Sequence, residues 1–357
     1  VFVDGKDGFK RFLRKEPLGV VFVCGAWNYP YLIAVNAVVP ALLAGNTVIL
    51  KQSSATLLCA ERFAEAFEAA GLPKHVFQYL HMTHSGTAAL IQHPKVAFVN
   101  FTGSVEGGRD IQKASSEKFM GVGLELGGKD PAYVRQDCDM DYTVEQLVDG
   151  TYFNSGQCCC AIERIYVHEA VYDRFVQKFA GLVESLYRLG DPTDKNTNLG
   201  PMVRTSAADW VRKQVKEAIA AGAKSLVSED KFPKSEEGTP YMAPVVLVDV
   251  DHSMSVMKEE SFGPVIGIMK VSSDEEAISL MNDSDFGLTA GIWTQDIDAA
   301  TRIGSEVQTG TLFVNKCDYL DPALAWTGVK DSGRGVSLSK FGFDQLTQIK
   351  SFNMKIN

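Results

Sequence analysis

The sequence has little positive charge and no long apolar run, and each deficit excludes a class of protein. Its 35 Lys and Arg residues are outnumbered by 44 Asp and Glu residues, which gives a formal net charge of −9 at pH 7. Proteins that bind nucleic acid usually carry a basic face, so we expect no nucleic-acid partner. The longest apolar stretch, from Tyr29 to Leu43, is interrupted by Asn36 and Pro40. A membrane span needs about 18 apolar residues, so we also expect no membrane contact.

Cysteine is present, but not in a pattern that builds disulfides or a zinc finger. The seven cysteines are an odd number without regular spacing, so a disulfide framework is not expected. Free thiols are typical of a reducing compartment, and we predict a cytoplasmic protein. No second cysteine pair stands at zinc-finger spacing, and the closest histidine pair, His81 and His84, lies in a polar loop. We therefore predict no metal site.

The order of apolar runs and helical patterns indicates the fold class. The 357 residues, 45% of them hydrophobic, are enough for two domains with buried cores. Short apolar runs, such as 19–24 and 46–50, alternate with helical segments, such as the one that Gly71 and Pro73 end. This alternation predicts an α/β fold with a parallel sheet covered on both faces. We place the boundary of two α/β units at Gly127-Gly128, because glycine frees the backbone for a change of direction.

Three consecutive cysteines, Cys158, Cys159 and Cys160, are the most unusual local feature of the sequence. Successive side chains of an extended segment point to opposite sides, which predicts that the middle sulfur is set apart from its neighbours. A thiolate behind the flexible Gly156 could attack an electrophilic carbon. The alternative is a buried and inert cluster, because free cysteine is among the most buried residue types. Spacing alone leaves both interpretations open.

A nucleophile of this kind needs a base and a donor for the oxyanion, and the sequence offers a candidate for each. Glu125 stands between two leucines just before a glycine pair, where apolar surroundings would raise the pKa of its carboxyl group. Asn28 follows a predicted strand and precedes Pro30, on a turn that could present its side-chain amide. A salt-bridged or simply exposed glutamate is the competing interpretation of Glu125, and the Asn28 signal is weak by itself.

The sequence lacks a G-x-G-x-x-G motif after the first strand, but other residues could bind a nucleotide. The stretch NFTGSVEGGRD predicts a strand, a turn and the start of a helix, with Ser104 near the helix N-terminus. Such an N-terminus binds phosphate through its N–H groups and dipole. Lys51 stands at the end of a strand, where α/β sheets bind ligands. Each of these signals is common by itself.

Together, in this order along the chain, the motifs resemble those of the aldehyde dehydrogenase superfamily. The resemblance covers essentially the whole chain and rests on GAWNYP, NTVILKQSS, FTGSVEGG, LELGGKDP, FNSGQCCC, EESFGPV, NDSDFGLTAGIWT and GVKDSGRG. Family members usually have a substantial segment before the position of Val1, so we interpret the sequence as lacking that segment. The resemblance implies NAD- or NADP-dependent oxidation of an aldehyde to a carboxylic acid, through a cysteine thiohemiacetal and a thioester.

The resemblance also assigns roles to individual residues. Cys159 matches the nucleophile, Glu125 the base that activates the deacylating water, and Asn28 the oxyanion donor. The positions that match cofactor contacts are Trp27, Lys51, Ser54, Gly103, Ser104, Glu260 and Phe262. The positions expected to line the aldehyde tunnel are Asn36, Tyr152, Phe153 and Trp326. Such walls suggest a medium-sized aldehyde, apolar or partly polar, as the small-molecule substrate.

The family fold implies a Rossmann-type cofactor domain, an α/β catalytic domain and a small β flap for oligomerisation. By similarity, the cofactor domain covers 18–127 with a return at 332–346. The catalytic domain covers 128–331, and the flap consists of 1–17 and 347–357. We accordingly expect a homodimer or a homotetramer.

The sequence departs from the family pattern at positions that bear on its chemistry. Ser54 replaces the acid that NAD-preferring members often carry after Lys51, and its neutrality removes a repulsion toward a 2′-phosphate, so NADP use is plausible. Many members have a buried Lys–Glu relay behind the base, and the matching positions here are Ala37 and Ser337. A catalytically silent structural or binding protein on this fold is an alternative. A CoA-acylating relative is disfavoured, since such relatives generally lack the base that Glu125 matches.

Overall fold

The structure, a computed structural model, describes residues 5–356. Its strands are β1 (Phe9–Pro17), β2 (Val20–Gly25), β3 (Thr47–Gln52), β4 (Phe77–Tyr79), β5 (Val96–Thr102), β6 (Gly121–Glu125), β7 (Asp130–Val134), β8 (Ile162–His168), β9 (Lys224–Ser225), β10 (Val245–Val248), β11 (Val265–Val271), β12 (Phe286–Gly287), β13 (Thr289–Trp293), β14 (Thr311–Val314), β15 (Val329–Lys330), β16 (Gly333–Arg334) and β17 (Thr347–Lys355).

The helices alternate with these strands along most of the chain. They are α1 (Pro30–Leu43), α2 (Leu57–Ala69), α3 (His84–Gln92), α4 (Val105–Ser115), α5 (Met140–Tyr152), α6 (Tyr172–Leu186), α7 (Thr205–Ala220), α8 (Ser255–Lys258), α9 (Asp274–Asn282) and α10 (Ile297–Glu306). Short 3₁₀ turns lie at Phe153–Gly156, Glu229–Lys231 and Phe341–Phe343. The predicted alternation of strands and helices is confirmed.

The chain divides into two compact units. Unit 1 consists of 1–126, 320–327 and 333–357, and unit 2 of 127–319 and 328–332. The predicted division into a cofactor domain, a catalytic domain and an oligomerisation flap stays a prediction. The flap residues 1–4 and 357 lie outside the described residues.

Unit 1 is built on a six-stranded sheet in the order β16-β6-β5-β2-β3-β4. Strands β2 to β6 run parallel to their neighbours, and the short edge strand β16 is antiparallel to β6. Side chains alternate along β2, so that Val21 and Val23 pack in one apolar cluster with α1 and α2 while Phe22 and Cys24 pack in another with α3 and α4. Both faces of the sheet are therefore covered, as the sequence predicted.

Unit 1 also contains a separate antiparallel ribbon made of β1 and β17. Nine residue pairs join the two strands, from Phe9 with Lys355 to Pro17 with Thr347. The rings of Phe12 and Phe352 stack across the ribbon with centroids 4.5 Å apart. The side chains of Ile349 and Ile356 are more than half exposed.

Unit 2 contains a seven-stranded sheet in the order β14-β13-β7-β8-β11-β10-β9. All neighbours are parallel except the two-residue edge strand β9. One face packs on α5 and α6 around Phe175 and Phe179, and the other on α7, α9 and α10 around Val211 and Ile303. The strands are apolar on both faces, which is the pattern of a buried parallel sheet.

Candidate active site

The carboxyl ends of four parallel strands in unit 1 bring several predicted site residues to one edge of the sheet. The chain runs from β2 outward through β3 to β4, and then crosses to β5 on the other side of β2. The strand order thus reverses between β2 and β5. In open α/β sheets this reversal opens a crevice at the carboxyl ends of the strands, where ligands bind.

Each of these strand ends carries residues that the sequence singled out. Trp27 and Asn28 lie in the turn after β2, and both side chains are partly buried. Lys51 is the penultimate residue of β3 and pairs with Cys24 of β2. The exposed Ser54 follows in the next loop. Thr102 ends β5 opposite Glu125, which ends β6.

Ser104 caps helix α4, as the sequence suggested. Its Oγ accepts a hydrogen bond from the backbone N–H of Gly107 at 3.2 Å, which defines the helix start beside the end of β5. Glycine is required at 103 and 107 by packing, because a Cβ atom at either position would lie 2.7 Å from the ring of Phe101. The N-terminus of α4 and the Lys51 ammonium group together suit the negative charge of a dinucleotide diphosphate. The residues present at this edge therefore fit the implied cofactor.

Two hydroxyl groups hold the carboxylate of Glu125. Ser337 Oγ donates to Oε1 at 2.7 Å, and Thr102 Oγ1 donates to Oε2 at 3.2 Å. Burial raises the pKa of Glu125 above its ordinary value, although both hydrogen bonds oppose the shift. The pKa of Glu125 is therefore shifted in the direction that its leucine neighbours predicted. Ser337, at the position where many family members have a relay glutamate, bonds directly to the candidate base.

Two predicted tunnel residues belong to unit 1. Trp326 is buried, and its backbone forms two hydrogen bonds with Ser337, of 2.8 and 2.9 Å. Asn36 lies on α1 and is partly buried. Their contact with an aldehyde stays a prediction.

In unit 2 a strained turn immediately precedes the cysteine triplet and positions it. Asn154, Ser155 and Gly156 have φ values of 51°, 57° and 70°, and the left-handed region is costly for the two residues that carry a Cβ atom. Polar contacts fix the turn. Ser155 Oγ donates to the Gly200 carbonyl at 2.8 Å, and the buried Gln157 accepts from the Val203 N–H at 2.7 Å. The sequence had indicated flexibility only at Gly156.

The three sulfur atoms converge, and the predicted separation of the middle one is wrong. The Sγ atoms of Cys158, Cys159 and Cys160 all lie within 4.8 Å of one another, and those of Cys158 and Cys160 are 3.5 Å apart. The reason is that the triplet forms a turn and not an extended strand, so side chains do not alternate. Cys159 alone of the three is partly exposed. The hydrogen bond with Cys158, together with burial, raises the pKa of the Cys159 thiol well above its ordinary value.

Glycine is present at 127 and 128 because neighbouring atoms leave no room for a side chain, and not because the backbone is left-handed. Neither residue is among the positive-φ positions. A Cβ atom on Gly127 would lie 2.6 Å from the carboxylate oxygens of Glu260, and one on Gly128 would collide with the carbonyl oxygen of Cys159. The Gly128 N–H also donates to Glu260 Oε1 at 2.9 Å. Two motifs far apart in sequence are thus locked together.

A buried ion pair anchors the segment that contains Glu260 and Phe262. Glu163 accepts a hydrogen bond from Lys129 Nζ at 2.6 Å, and both side chains are almost completely buried. The same carboxylate accepts the backbone N–H groups of Ser261 and Phe262, each at 2.8 Å. Phe262 has a φ of 50°, so these bonds hold a strained residue. Burial and the neighbouring Glu163 raise the pKa of Glu260 to about 7.

Asp318 is a site residue that the sequence did not reveal. The thiols of Cys160 and Cys158 donate to its Oδ1 atom at 2.9 and 3.4 Å. Burial and the Cys158 thiol raise the pKa of Asp318 to about 7. Asp318 follows Cys317 just after β14, and only its position at the end of a parallel strand could have drawn attention to it.

The structure corrects one of the two tunnel residues predicted in unit 2. Tyr152 is 1% exposed, its ring packs against Phe179 and Tyr187, and its hydroxyl donates to the Val245 carbonyl at 2.8 Å. It is a core residue, because the last turn of α5 faces the sheet. Phe153, the next residue, is 52% exposed, and its predicted place in the aldehyde tunnel stays a prediction.

Comparisons with known proteins agree with this architecture. A family model described as "Aldehyde dehydrogenase family" matches residues 2–352. The chain is 36% identical to the human 4-trimethylaminobutyraldehyde dehydrogenase, with 95% of this chain and 69% of the relative covered. It is 35% identical to a succinate semialdehyde dehydrogenase [NAD(P)+] of Escherichia coli, with 95% and 72% covered. A solved betaine aldehyde dehydrogenase of Staphylococcus aureus in complex with NAD+ superposes with a TM-score of 0.93 at 32% identity, over 100% of this chain and 71% of that one.

The fold and the matches define an α/β oxidoreductase that acts on aldehydes. The chain belongs to the aldehyde dehydrogenase family. The predicted fold class, enzyme class and cofactor, NAD or NADP, are confirmed at the level of the family. The chain spans about 70% of the length of these relatives. Within residues 5–356, no helix is long and apolar enough to cross a membrane.

The buried ion pair generates a stability prediction. In Glu163→Gln the shape is kept, but Lys129 is left as an uncompensated buried charge, so the free energy of unfolding should fall by about 3–5 kcal/mol. Urea denaturation followed by circular dichroism measures the loss. Glu237→Gln is the matched control, because Glu237 pairs with Lys216 on the surface, where solvent screens the two charges, and its loss should leave the free energy of unfolding almost unchanged. Equal effects of the two substitutions would contradict the anchoring role of Glu163.

Proposed function

We propose that this chain oxidises an aldehyde to a carboxylic acid by covalent catalysis at Cys159, with NAD or NADP as the oxidant. The observation that carries the proposal is the cysteine turn: of three adjacent cysteine residues, only Cys159 is partly exposed, while Cys158 and Cys160 are buried. The turn is fixed by Gly128 beneath the Cys159 carbonyl and by the buried side chain of Gln157. A fixed, reachable sulfur is what nucleophilic attack requires.

The proposed reaction begins at the Cys159 sulfur. The thiol loses its proton to solvent, and the sulfur forms a bond to the aldehyde carbon, whose oxygen becomes an oxyanion. Asn28 and the backbone N–H of Cys159 donate hydrogen bonds to that oxygen. The nicotinamide group supplies the acceptor for the hydride that leaves the former aldehyde carbon. The product of this half-reaction is a thioester on Cys159.

Glu125 is the proposed base for the second half-reaction. It takes a proton from a water molecule, whose oxygen then attacks the thioester carbon and releases the acid and the Cys159 sulfur. The raised pKa of Glu125 supports this role, because a base acts best when its pKa approaches the operating pH. Ser337 and Thr102 keep the carboxylate oriented by their hydrogen bonds.

Cofactor binding is assigned to the strand ends of unit 1 and to one loop of unit 2. In unit 1, the proposed contacts are Trp27, Lys51, Ser54, Gly103 and Ser104, all at the carboxyl edge of the parallel sheet. In unit 2, Glu260 and Phe262 are the proposed contacts to the ribose and the nicotinamide ring. Their support is the rigid placement that Gly128 and Glu163 impose on that loop. Unit 1 accordingly serves as the cofactor unit and unit 2 as the catalytic unit.

The ribbon of β1 and β17 is the proposed oligomerisation flap. A lone two-stranded ribbon is marginally stable in water, and its outer edges present unpaired backbone groups. Burial of exposed apolar side chains such as Ile349 and Ile356 in a subunit interface would stabilise the ribbon further. A homodimer or homotetramer would provide that cover.

One prediction of the proposed function concerns which of the three thiols is the nucleophile. Cys159→Ala should lower the rate of aldehyde-dependent NADH formation by a factor on the order of 10³ or more, because the proposed thioester forms on the Cys159 sulfur. NAD binding, measured by fluorescence titration, should persist. Cys158→Ala and Cys160→Ala should affect activity only through packing. An inactive Cys160→Ala together with an active Cys159→Ala would show that the nucleophile has been assigned to the wrong sulfur.

A further prediction concerns the choice between NAD and NADP, which we expect Ser54 to influence. A carboxylate there would repel the 2′-phosphate of NADP, and like charges at a binding site cost several kcal/mol. Ser54→Glu should therefore lower kcat/KM for NADP at least about tenfold more than kcat/KM for NAD, since about 1.4 kcal/mol is a factor of ten. Ser54→Gln, of the same size but neutral, is the control. An unchanged NAD/NADP ratio in Ser54→Glu would show that Ser54 does not face the ribose.

A further inference from the structure

The cysteine turn brings together more ligand atoms than covalent catalysis uses. Within residues 5–356, the Cys158, Cys159 and Cys160 sulfurs form the one group of three His, Cys, Asp or Glu ligand atoms close enough to share an ion. A single nucleophile does not require two further thiols within 4.8 Å. Three converging thiols are, however, a donor set for soft metal ions.

A carboxylate completes the donor set. Asp318 Oδ1 lies 2.9 Å from Cys160 Sγ and 3.4 Å from Cys158 Sγ. In a tetrahedral zinc site, Zn–S bonds of about 2.3 Å and Zn–O bonds of about 2.1 Å place sulfurs about 3.8 Å apart and sulfur and oxygen about 3.6 Å apart. The Cys158–Cys160 separation of 3.5 Å is close to that value. The separations of 3.5, 3.4 and 2.9 Å among Cys158, Cys160 and Asp318 are within about 0.7 Å of these values.

A second buried carboxyl group makes the surroundings favourable for a cation. Asp130 Oδ1 is buried and has no hydrogen-bond partner. Its other oxygen accepts hydrogen bonds from Thr289 at 2.5 and 3.1 Å. Asp130 lies close to the cysteine turn, because a Cβ atom on Gly128 would lie 2.9 Å from Asp130 Oδ1 and would collide with the Cys159 carbonyl oxygen. An acceptor left unsatisfied in a protein interior is costly, and a nearby cation would stabilise it.

We propose that Cys158, Cys159, Cys160 and Asp318 form a binding site for a thiophilic divalent cation of the zinc class, and that the bound ion inhibits the enzyme. On binding, three S–H bonds break, three metal–sulfur bonds form, and the protons pass to solvent, without any change of oxidation state. The partly exposed Cys159 gives the ion its point of entry. Inhibition follows because the lone pair that would attack the aldehyde is bound to the metal. This last step rests on the proposed role of Cys159.

Cadmium ion is the probe for the site, because its thiolate complexes absorb in the ultraviolet. The full 357-residue chain, kept reduced by a phosphine under anaerobic conditions, is titrated with Cd²⁺. The expected result is a sulfur-to-metal charge-transfer band that saturates at one equivalent with the intensity of three thiolates. Cd²⁺ should displace Zn²⁺ from the same site, since it is the softer ion, and Zn²⁺ alone should inhibit aldehyde oxidation reversibly, with activity restored by a chelator.

Two variants and one control test the ligand set. Cys158→Ala and Asp318→Asn should each weaken Cd²⁺ binding by at least about tenfold, the smallest loss typical even of removing a supporting residue from a metal site. Cys138→Ala is the matched control, since this thiol lies outside the cluster and its loss should change nothing. A band with the intensity of one thiolate, or Cd²⁺ binding that Cys158→Ala leaves unchanged, would overturn the proposal.

The same titration separates the metal site from the proposed function. Cd²⁺ binding is read without turnover. A chain that binds Cd²⁺ through three thiols but lacks aldehyde oxidation would support the site and overturn the proposed function. Aldehyde oxidation by a chain whose three thiols do not bind Cd²⁺ together would support the proposed function and overturn the metal site.

Discussion

The candidate catalytic part of unit 2 depends on one steric constraint, the passage of the backbone through Gly127 and Gly128. On one side lies the carbonyl of Cys159, and on the other the carboxylate of Glu260. A methyl group at either glycine would have to displace one of them. The buried Lys129–Glu163 pair follows immediately and fixes the backbone of Ser261 and Phe262. Nucleophile and cofactor loop are therefore positioned by the same short segment.

Much of this architecture was predictable from local patterns in the sequence. Alternating apolar runs and amphipathic segments predict the parallel sheets, and Gly71, with a φ of 79°, follows the end of α2 as expected. Ser273 caps α9 by accepting the Glu276 N–H at 3.2 Å, and a serine three residues before a glutamate is the local pattern of such a helix start. These features depend on neighbours within one turn of helix or strand.

What could not be predicted depends on contacts between distant residues. The left-handed Asn154 and Ser155 carry no glycine signal, and their conformation is held by partners such as Gly200. The convergence of the three sulfurs follows from that turn. Asp318 reaches the triplet across 158 residues of sequence, and Tyr152 is a core residue because of how α5 packs. In each case tertiary packing decides what local spacing leaves open.

The structure also shows a tension within the proposed chemistry. Attack requires a thiolate, yet the hydrogen bond with Cys158 and burial raise the pKa of Cys159, which disfavours that thiolate. Glu125, in contrast, has the raised pKa that suits a base, and Ser337 holds it where many relatives have a relay glutamate. The proposed reaction therefore requires removal of the Cys159 proton before the sulfur attacks.

The covalent intermediate on Cys159 is the central claim, and its direct capture is the most decisive measurement. The Glu125→Gln variant is mixed with NAD or NADP and an aldehyde, quenched in acid during turnover, and digested for mass spectrometry. Loss of the base slows hydrolysis of the thioester, so the acyl group should accumulate on the peptide that contains residues 158–160, with fragmentation placing it on Cys159. Reduced cofactor formed without any acylated cysteine, or an acyl group on Cys158 or Cys160 alone, would contradict the account.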